Sequence, residues 1–130
     1  MSSRWSCHGA AVAGVLLLLA GCGGSTGPTA GVLKVNLVTP YADDGGILLT
    51  ISGGPIDSVE ALANRLYTYR VDANSLRVII AGEIGAGTLA LIRVPDTREA
   101  SRYAAVVSQA AARPPYTQRD PALYRLTLAP

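Results

Sequence analysis

Apolar and polar residues alternate in short runs from residue 32 to the end of the chain. In the run 32–39, Leu33, Val35 and Leu37 fall on one side of an extended strand, and polar residues fall between them. The run 47–52 is nearly all apolar, which is typical of a strand at the centre of a sheet. Such runs predict β-strands. The others cover residues 66–71, 76–81, 88–94, 103–112 and 123–128.

Turn-forming residues separate these runs. The sequence Asp-Asp-Gly-Gly at 43–46 predicts a hairpin turn, because glycine accepts positive φ angles without steric cost. The glycine-rich segment 82–87 predicts a loop between two strands, and residues 113–121 predict another loop. Asp96 and Glu99 have the spacing of a capping box, which predicts a single helical turn between the strands on either side.

The segment 56–64 has two interpretations. Asp57 and Glu60 have capping-box spacing, and the alanine-rich residues that follow favour a helix. Val59 with its flanking residues also fits a short strand. We favour the strand, because the neighbouring segments are strands.

The sequence thus predicts an all-β fold, an antiparallel β-sandwich of seven or eight short strands. We expect one small domain covering residues 32–130, with no internal repeat and no long amphipathic helix.

Residues 1–21 have the three parts of an export signal. The segment 1–9 carries Arg4 and no acidic residue, and the segment 10–20 is an unbroken apolar run. That run is about half the length that a membrane-spanning helix needs, roughly 20 residues. We therefore predict a cleaved signal peptide rather than a membrane anchor.

The tetrapeptide Leu19-Ala20-Gly21-Cys22 resembles the lipobox of bacterial lipoproteins. The resemblance implies cleavage before Cys22 and attachment of a diacylglyceryl group, such as one bearing palmitate, to the Cys22 sulfur. The glycine-rich residues 22–31 would then be a flexible linker between the lipid and the domain. Gly23 follows the cysteine, where an aspartate keeps many lipoproteins in the inner membrane, so we expect the outer membrane.

Cleavage of the signal peptide would also remove several reactive side chains from the chain. His8, Trp5, Met1 and Cys7 all lie within it, and ten basic residues then remain against nine acidic ones. Without histidine there is no Ser-His-Asp triad and no imidazole base, and a zinc site would need carboxylates alone. The scattered basic residues form no nucleic-acid surface. We therefore predict no enzymatic activity, no cofactor, no metal and no nucleic-acid partner.

Four features are candidate sites. Tyr67 and Tyr69 share one face of a strand, where they either pack at the core or its rim, which we favour, or form an exposed binding face. Asp43 and Asp44 fit a calcium site less well than a turn, and the glycines of 82–87 lack the nucleotide-binding spacing. The pairs formed by Asp57 with Glu60 and by Asp96 with Glu99 are better explained as helix starts than as acid–base pairs.

The order of segments is similar to that of cohesin-like sandwich domains of secreted bacterial proteins. The likeness lies in the opening residues 31–35, the apolar run 47–51 and the segment 82–87 leading into 89–94. Cohesins bind a partner module through one sheet face, but residues matching their contacts are not identified in this chain. The resemblance implies a fold and no particular partner.

We therefore expect a membrane-anchored, non-enzymatic binding or structural module at the cell envelope, whose partner is an envelope protein or a glycan. Two alternatives stay open. One is a glycan- or peptide-processing enzyme that uses two carboxylates. The other is an accessory subunit of an envelope complex.

Overall fold

A computed structural model describes residues 27–130 of the chain. Within this range the chain forms nine β-strands and two short 3₁₀ turns. The 3₁₀ turns cover Thr97–Arg102 and Pro121–Leu123. The strands are β1 (Gly31–Val38), β2 (Asp44–Ser52), β3 (Ser58–Ala61), β4 (Arg65–Asp72), β5 (Ser75–Ile84), β6 (Gly87–Val94), β7 (Ala104–Ala112), β8 (Gln118–Arg119) and β9 (Arg125–Ala129).

The strands form two antiparallel sheets that pack face to face. One sheet has four strands in the order β3-β6-β1-β9, and the other has five in the order β4-β5-β2-β7-β8. The predicted all-β sandwich is confirmed. The apolar run 47–52 lies in β2 at the centre of its sheet, as its composition predicts.

The core lies between the sheets and consists mainly of aliphatic side chains. Leu33 and Val35 of β1 face Leu49 and Ile51 of β2, and all four are buried. Burying one such side chain stabilises the fold by about 1.5–3 kcal/mol. Because side chains alternate along a strand, every second residue lies on the inward face that forms this core.

The predicted hairpin turn at 43–46 is wrong. The strands on either side of it, β1 and β2, belong to different sheets and do not pair. Asp44 is already the first residue of β2 and is completely buried, and a bulge lies between Asp44 and Gly46. The chain crosses between the two sheets here, so the glycines serve a bulge instead of a tight turn.

The other turn regions are partly corrected. Strand β5 continues to Ile84, so the predicted loop 82–87 shrinks to two residues between β5 and β6. The predicted loop 113–121 contains the two-residue strand β8. In the segment 56–64 the favoured strand is confirmed as β3, and the predicted helical turn begins at its Asp96 cap.

The sandwich has two distinguishable ends. The end at which β1 begins, here called the tether end, holds the first 3₁₀ turn, and the Thr97 amide donates to the Thr29 carbonyl there (2.8 Å). The opposite end, here called the far end, holds the β1–β2 crossover and Arg113, whose amide donates to the Asp43 carbonyl (2.7 Å). The chain therefore enters the domain at the end away from Arg113.

Candidate binding surface

The outer side of the five-stranded sheet carries the two tyrosines that the sequence singled out. The pairing registers place Tyr67 beside Ile79 and Leu48, and Tyr69 beside Arg77 and Thr50, in two rows across the sheet. We call this surface the tyrosine face. It consists of Arg65, Tyr67 and Tyr69 from β4, Arg77, Ile79 and Ala81 from β5, Gly46, Leu48 and Thr50 from β2, and Val106, Gln109 and Ala111 from β7.

The favoured expectation that both tyrosines pack at the core or its rim is wrong. Tyr67 is 57% exposed and Tyr69 is 68% exposed. On the other side of β4 only Leu66 packs against the core, and Thr68 and Arg70 are themselves exposed. The buried aromatic side chains are those of Tyr103 and Tyr124.

Further apolar side chains extend the tyrosine face across the sheet. Ile79 is 46% exposed and Val106 is 63% exposed. Leu48, Tyr67, Tyr69 and Ile79 line a shallow groove of about 280 Å³, together with Thr68 and Arg77. A second depression of about 210 Å³ adjoins it, between Ile79 and Gln118. The surface is therefore a continuous, mostly apolar area with shallow relief.

The outer side of the four-stranded sheet, here called the polar face, has a different composition. Lys34 and Glu60 flank Leu91 in one row, Arg93 lies beside Ser58, and the Thr88 hydroxyl donates to the Asn36 side chain (2.7 Å). The face consists of Val32, Lys34, Asn36, Val38, Ser58, Glu60, Thr88, Leu91, Arg93, Arg125, Thr127 and Ala129. Charged or hydrogen-bonding groups occur in every row.

A buried polar cluster lies at the far end, between the sheets. The Tyr124 hydroxyl donates to Asp44 Oδ2 (2.6 Å), and Arg119 Nη1 lies 3.2 Å from Asp44 Oδ1 and 2.9 Å from Asp43 Oδ1. Neither Arg119 Nη1 nor Asp44 Oδ1 has a partner in good hydrogen-bonding geometry, so their contact is an ion pair. The Arg119 guanidinium also stacks on Tyr41, 3.8 Å from the ring centre.

This cluster shifts the ionisation of its members and serves the fold. Burial, and then the hydrogen bond to Asp44, raise the pKa of the Tyr124 phenol. The contact with Arg119 lowers the pKa of the Asp43 carboxyl. Because Asp44 is inaccessible to solvent, its carboxylate fastens β8 to the start of β2 and is closed to a ligand. The sequence carries no signal that would pair Asp44 with Tyr124, which is 80 residues away.

The remaining acidic candidates lie apart from one another. Asp96 caps the first 3₁₀ turn, and its hydrogen bond from Arg98 lowers the pKa of its carboxyl to about 2. Glu99 accepts a hydrogen bond from Arg102 (2.7 Å). Glu60 lies on β3, in the four-stranded sheet. Among residues 27–130, no group of three potential metal ligands comes together.

Cys22, the predicted lipid attachment site, lies outside the described residues. Within residues 27–130 the structure contains no helix with the length and apolar character needed to cross a membrane.

Comparisons with known proteins give no match. No family model matches the chain, and neither the curated proteins nor the solved structures include one that matches it.

Proposed function

We propose that this protein is a lipid-anchored component of the bacterial cell envelope, whose β-sandwich is a non-enzymatic module that binds an envelope partner through the tyrosine face. The observation that carries this proposal is the cluster of exposed Tyr67, Tyr69, Ile79 and Val106 on one outer surface. Single exposed apolar residues are ordinary, whereas a continuous apolar surface marks a contact with another molecule.

The residue types also fit a binding role. Tyrosine supplies a large contact area and one polar group while losing little conformational freedom, so it is enriched where proteins meet partners. Tyr67 and Tyr69 lie two residues apart on one strand, about 7 Å along the sheet. A partner that covers both rings would displace water from the groove lined by Leu48 and Ile79.

The proposed anchor rests on the lipobox-like sequence ending at Cys22. From Cys22 to the start of β1 at Gly31 the chain can extend about 30 Å at most. Two acyl chains hold a protein stably at a membrane, whereas one chain binds only marginally. With β1 starting at the tether end, this arrangement directs the far end away from the lipid.

Binding is tested by comparing the two outer faces in cells. The double variant Tyr67→Ser/Tyr69→Ser is compared with Lys34→Ser/Arg93→Ser, which alters the polar face by the same number of residues. Cross-linking through carboxyl groups, which none of these substitutions removes, followed by purification of the tagged full chain, should yield a defined partner adduct with the wild-type protein and the Lys34/Arg93 variant. We expect the Tyr67/Tyr69 variant to lose it. Equal yields from both variants would refute binding through the tyrosine face.

The anchor is tested independently with Cys22→Ser. We expect mass spectrometry of the wild-type membrane fraction to find a mature chain that begins at an acylated Cys22. The variant should accumulate as an unlipidated precursor. Because the absence of aspartate after Cys22 favours export to the outer membrane, the wild-type protein should sediment with outer-membrane markers on a density gradient. A wild-type chain that retains Met1, or that carries no lipid, would overturn the anchor.

A further inference from the structure

An open pocket lies at the far end, where the tyrosine face stops. It encloses about 690 Å³, within the range of small-molecule binding sites. Four of its lining residues are small: Gly45, Ala63, Ala81 and Gly82. These small residues leave the pocket open enough to admit a six-membered ring.

The wall of this pocket is held by hydrogen bonds. The Asn64 side chain donates to the Glu83 carbonyl (3.1 Å) and accepts from the Glu83 amide (3.2 Å), which fixes the loop before β4 to the end of β5. Gly82 has a φ of +145°, and a side chain there would collide with Asn64. The pocket is therefore built by the fold rather than formed by loose side chains.

Two arginines line the pocket. Arg65 begins β4 and also belongs to the tyrosine face. The guanidinium of Arg113 donates to the Ala42 carbonyl (3.3 Å) and lies 3.5 Å from the Glu83 carboxylate. The Glu83 side chain is 86% exposed, so it meets Arg113 only from the solvent side. An exposed ion pair of this length is weak, and an incoming carboxylate could replace Glu83 at Arg113.

An aromatic ring completes the rim. Tyr116 also lines the pocket and is 63% exposed. Its backbone has a φ of 59°, in the left-handed region that non-glycine residues seldom adopt, and such strained residues cluster at functional sites. The rim therefore combines two guanidinium groups with a phenol ring, a set that suits a carboxylate carried on a ring.

We propose that the far-end pocket binds a uronate residue of an acidic polysaccharide. In this arrangement Arg65 and Arg113 contact the carboxylate, since the planar guanidinium matches carboxylate geometry. Tyr116 stacks on the sugar ring, and neighbouring sugars of the chain continue over Tyr67 and Tyr69. The inference rests on the proposed function, because the pocket is the far end of the tyrosine face and shares Arg65 and Ala81 with it.

A glycan fits this site better than an acidic peptide does. The exposed rings of Tyr116, Tyr67 and Tyr69 offer faces on which sugar rings stack, whereas a peptide with acidic side chains would use the arginines alone. A second copy of this chain fits poorly as well. A two-fold contact between identical faces would place Arg65 and Arg77 of both copies in one interface, to which the tyrosine face contributes no acidic residue. The position of the pocket at the far end also favours a polymer that lies beyond the membrane surface.

The test measures binding of a fluorescent trigalacturonate to the detergent-solubilised full chain by anisotropy. Neutral galactotriose and triglutamate serve as comparison probes. We expect trigalacturonate to bind more tightly than either, and binding to weaken as salt is added. Equal affinity for the neutral sugar, or tighter binding of triglutamate, would overturn the proposal.

Three single variants make the test more specific, because two should weaken trigalacturonate binding and one should strengthen it. Arg65→Gln and Arg113→Gln should each weaken trigalacturonate binding about tenfold, through the loss of a charge-assisted hydrogen bond. Glu83→Gln should tighten it roughly two- to fivefold, because the competing carboxylate is gone. Arg93→Gln on the polar face is the matched control and should change nothing. Circular dichroism checks that each variant is folded.

The outcome separates this inference from the proposed function. If trigalacturonate binding is insensitive to the Arg65, Arg113 and Glu83 variants, the pocket assignment is wrong. The cross-linking test on Tyr67 and Tyr69 then still decides whether the tyrosine face binds a partner. If the adduct is lost with the tyrosine variant while trigalacturonate is not bound, only the far-end pocket is refuted.

Discussion

The two outer faces of the sandwich are built on sheets of the same kind and differ in what they show to solvent. On the polar face, Lys34, Glu60 and Arg93 are interspersed with the hydrogen-bonded Asn36 and Thr88 and with the aliphatic Leu91 and Val38. On the tyrosine face, exposed aromatic and aliphatic side chains form two neighbouring rows, with Arg65 and Arg77 as its charged residues. Both faces are equally remote from the core.

This difference is the reason for proposing a binding role for the tyrosine face. The core needs only the inward side of each strand, so the outward side is free to vary. High β-propensity explains why tyrosine suits a strand, but it would favour aromatic residues on either sheet. The polar face has none, although its strands are just as regular. Folding alone therefore accounts for the polar face and leaves the tyrosine face unexplained.

The largest expected effect concerns the buried polar cluster of Asp44, Arg119 and Tyr124 at the far end. Asp44→Ala removes the buried carboxylate that accepts the hydrogen bond of the Tyr124 hydroxyl and forms an ion pair with the Arg119 guanidinium. We expect the free energy of unfolding to fall by about 3 kcal/mol. Urea denaturation measures it, and the exposed Asp57→Ala should stay within about 0.5 kcal/mol of the wild type. A loss under about 1 kcal/mol for Asp44→Ala would show that the cluster does not hold β8 in place.

A second effect comes from the same cluster at high pH. Burial and the Asp44 carboxylate raise the pKa of Tyr124 above its ordinary value of 10.0. The unfolded chain therefore releases this proton at a lower pH than the folded protein does. Below pH 10 the contribution of Tyr124 to the free energy of unfolding does not vary with pH. Above pH 10 the free energy of unfolding falls as the pH rises.

Thermal melts from about pH 8 to about pH 11 measure this effect. Tyr124→Phe is the control, because it removes the phenol and should flatten the decline. If both proteins lose stability in parallel as the pH rises, the assignment to Tyr124 is wrong.

A smaller effect separates binding from folding on the tyrosine face. Because Tyr67 and Tyr69 are exposed, replacing either with serine should change the free energy of unfolding by less than about 1 kcal/mol. The same range is expected for Lys34→Ser on the polar face. Urea denaturation of the three variants tests this. A loss above about 2 kcal/mol for the tyrosines would make them structural residues and remove the contrast between the faces.

The smallest effect lies at the tether end and should leave both faces unchanged. The hydrogen bond from Arg98 lowers the pKa of Asp96 to about 2, so its contribution is present above pH 3.8 and is lost as the pH falls below that value. Asp96→Asn should weaken this acid dependence only slightly, because the pair is exposed to solvent. Melts between about pH 2 and about pH 6 would contradict the assignment if the variant and the wild type had identical slopes.

The sequence predicts the strands well and their orientation less well. Alternation shows that Tyr67 and Tyr69 share a side, because side chains alternate along any strand. It does not show which side faces inward when Leu66 and Tyr67 are both suitable for a core. That choice depends on the sheet partners, since pairing with β5 sets the orientation of β4.

Long-range contacts account for the other errors. The segment 43–46 has the composition of a hairpin turn, yet the chain there crosses from one sheet to the other. Asp44 is buried because Arg119 and Tyr124 reach it from distant parts of the chain. The far-end pocket likewise joins residues from four separate segments. Local patterns carry no information about such encounters.

The central claim is that one outer face meets a partner in the envelope while the other meets solvent. A photo-reactive amino acid is placed at Tyr69 in one protein and at Lys34 in another, and intact cells are irradiated. We predict a defined adduct from position 69, lost when Tyr67→Ser is added, and none from position 34. Adducts of equal yield from both positions, or an adduct from position 34 alone, would contradict the account.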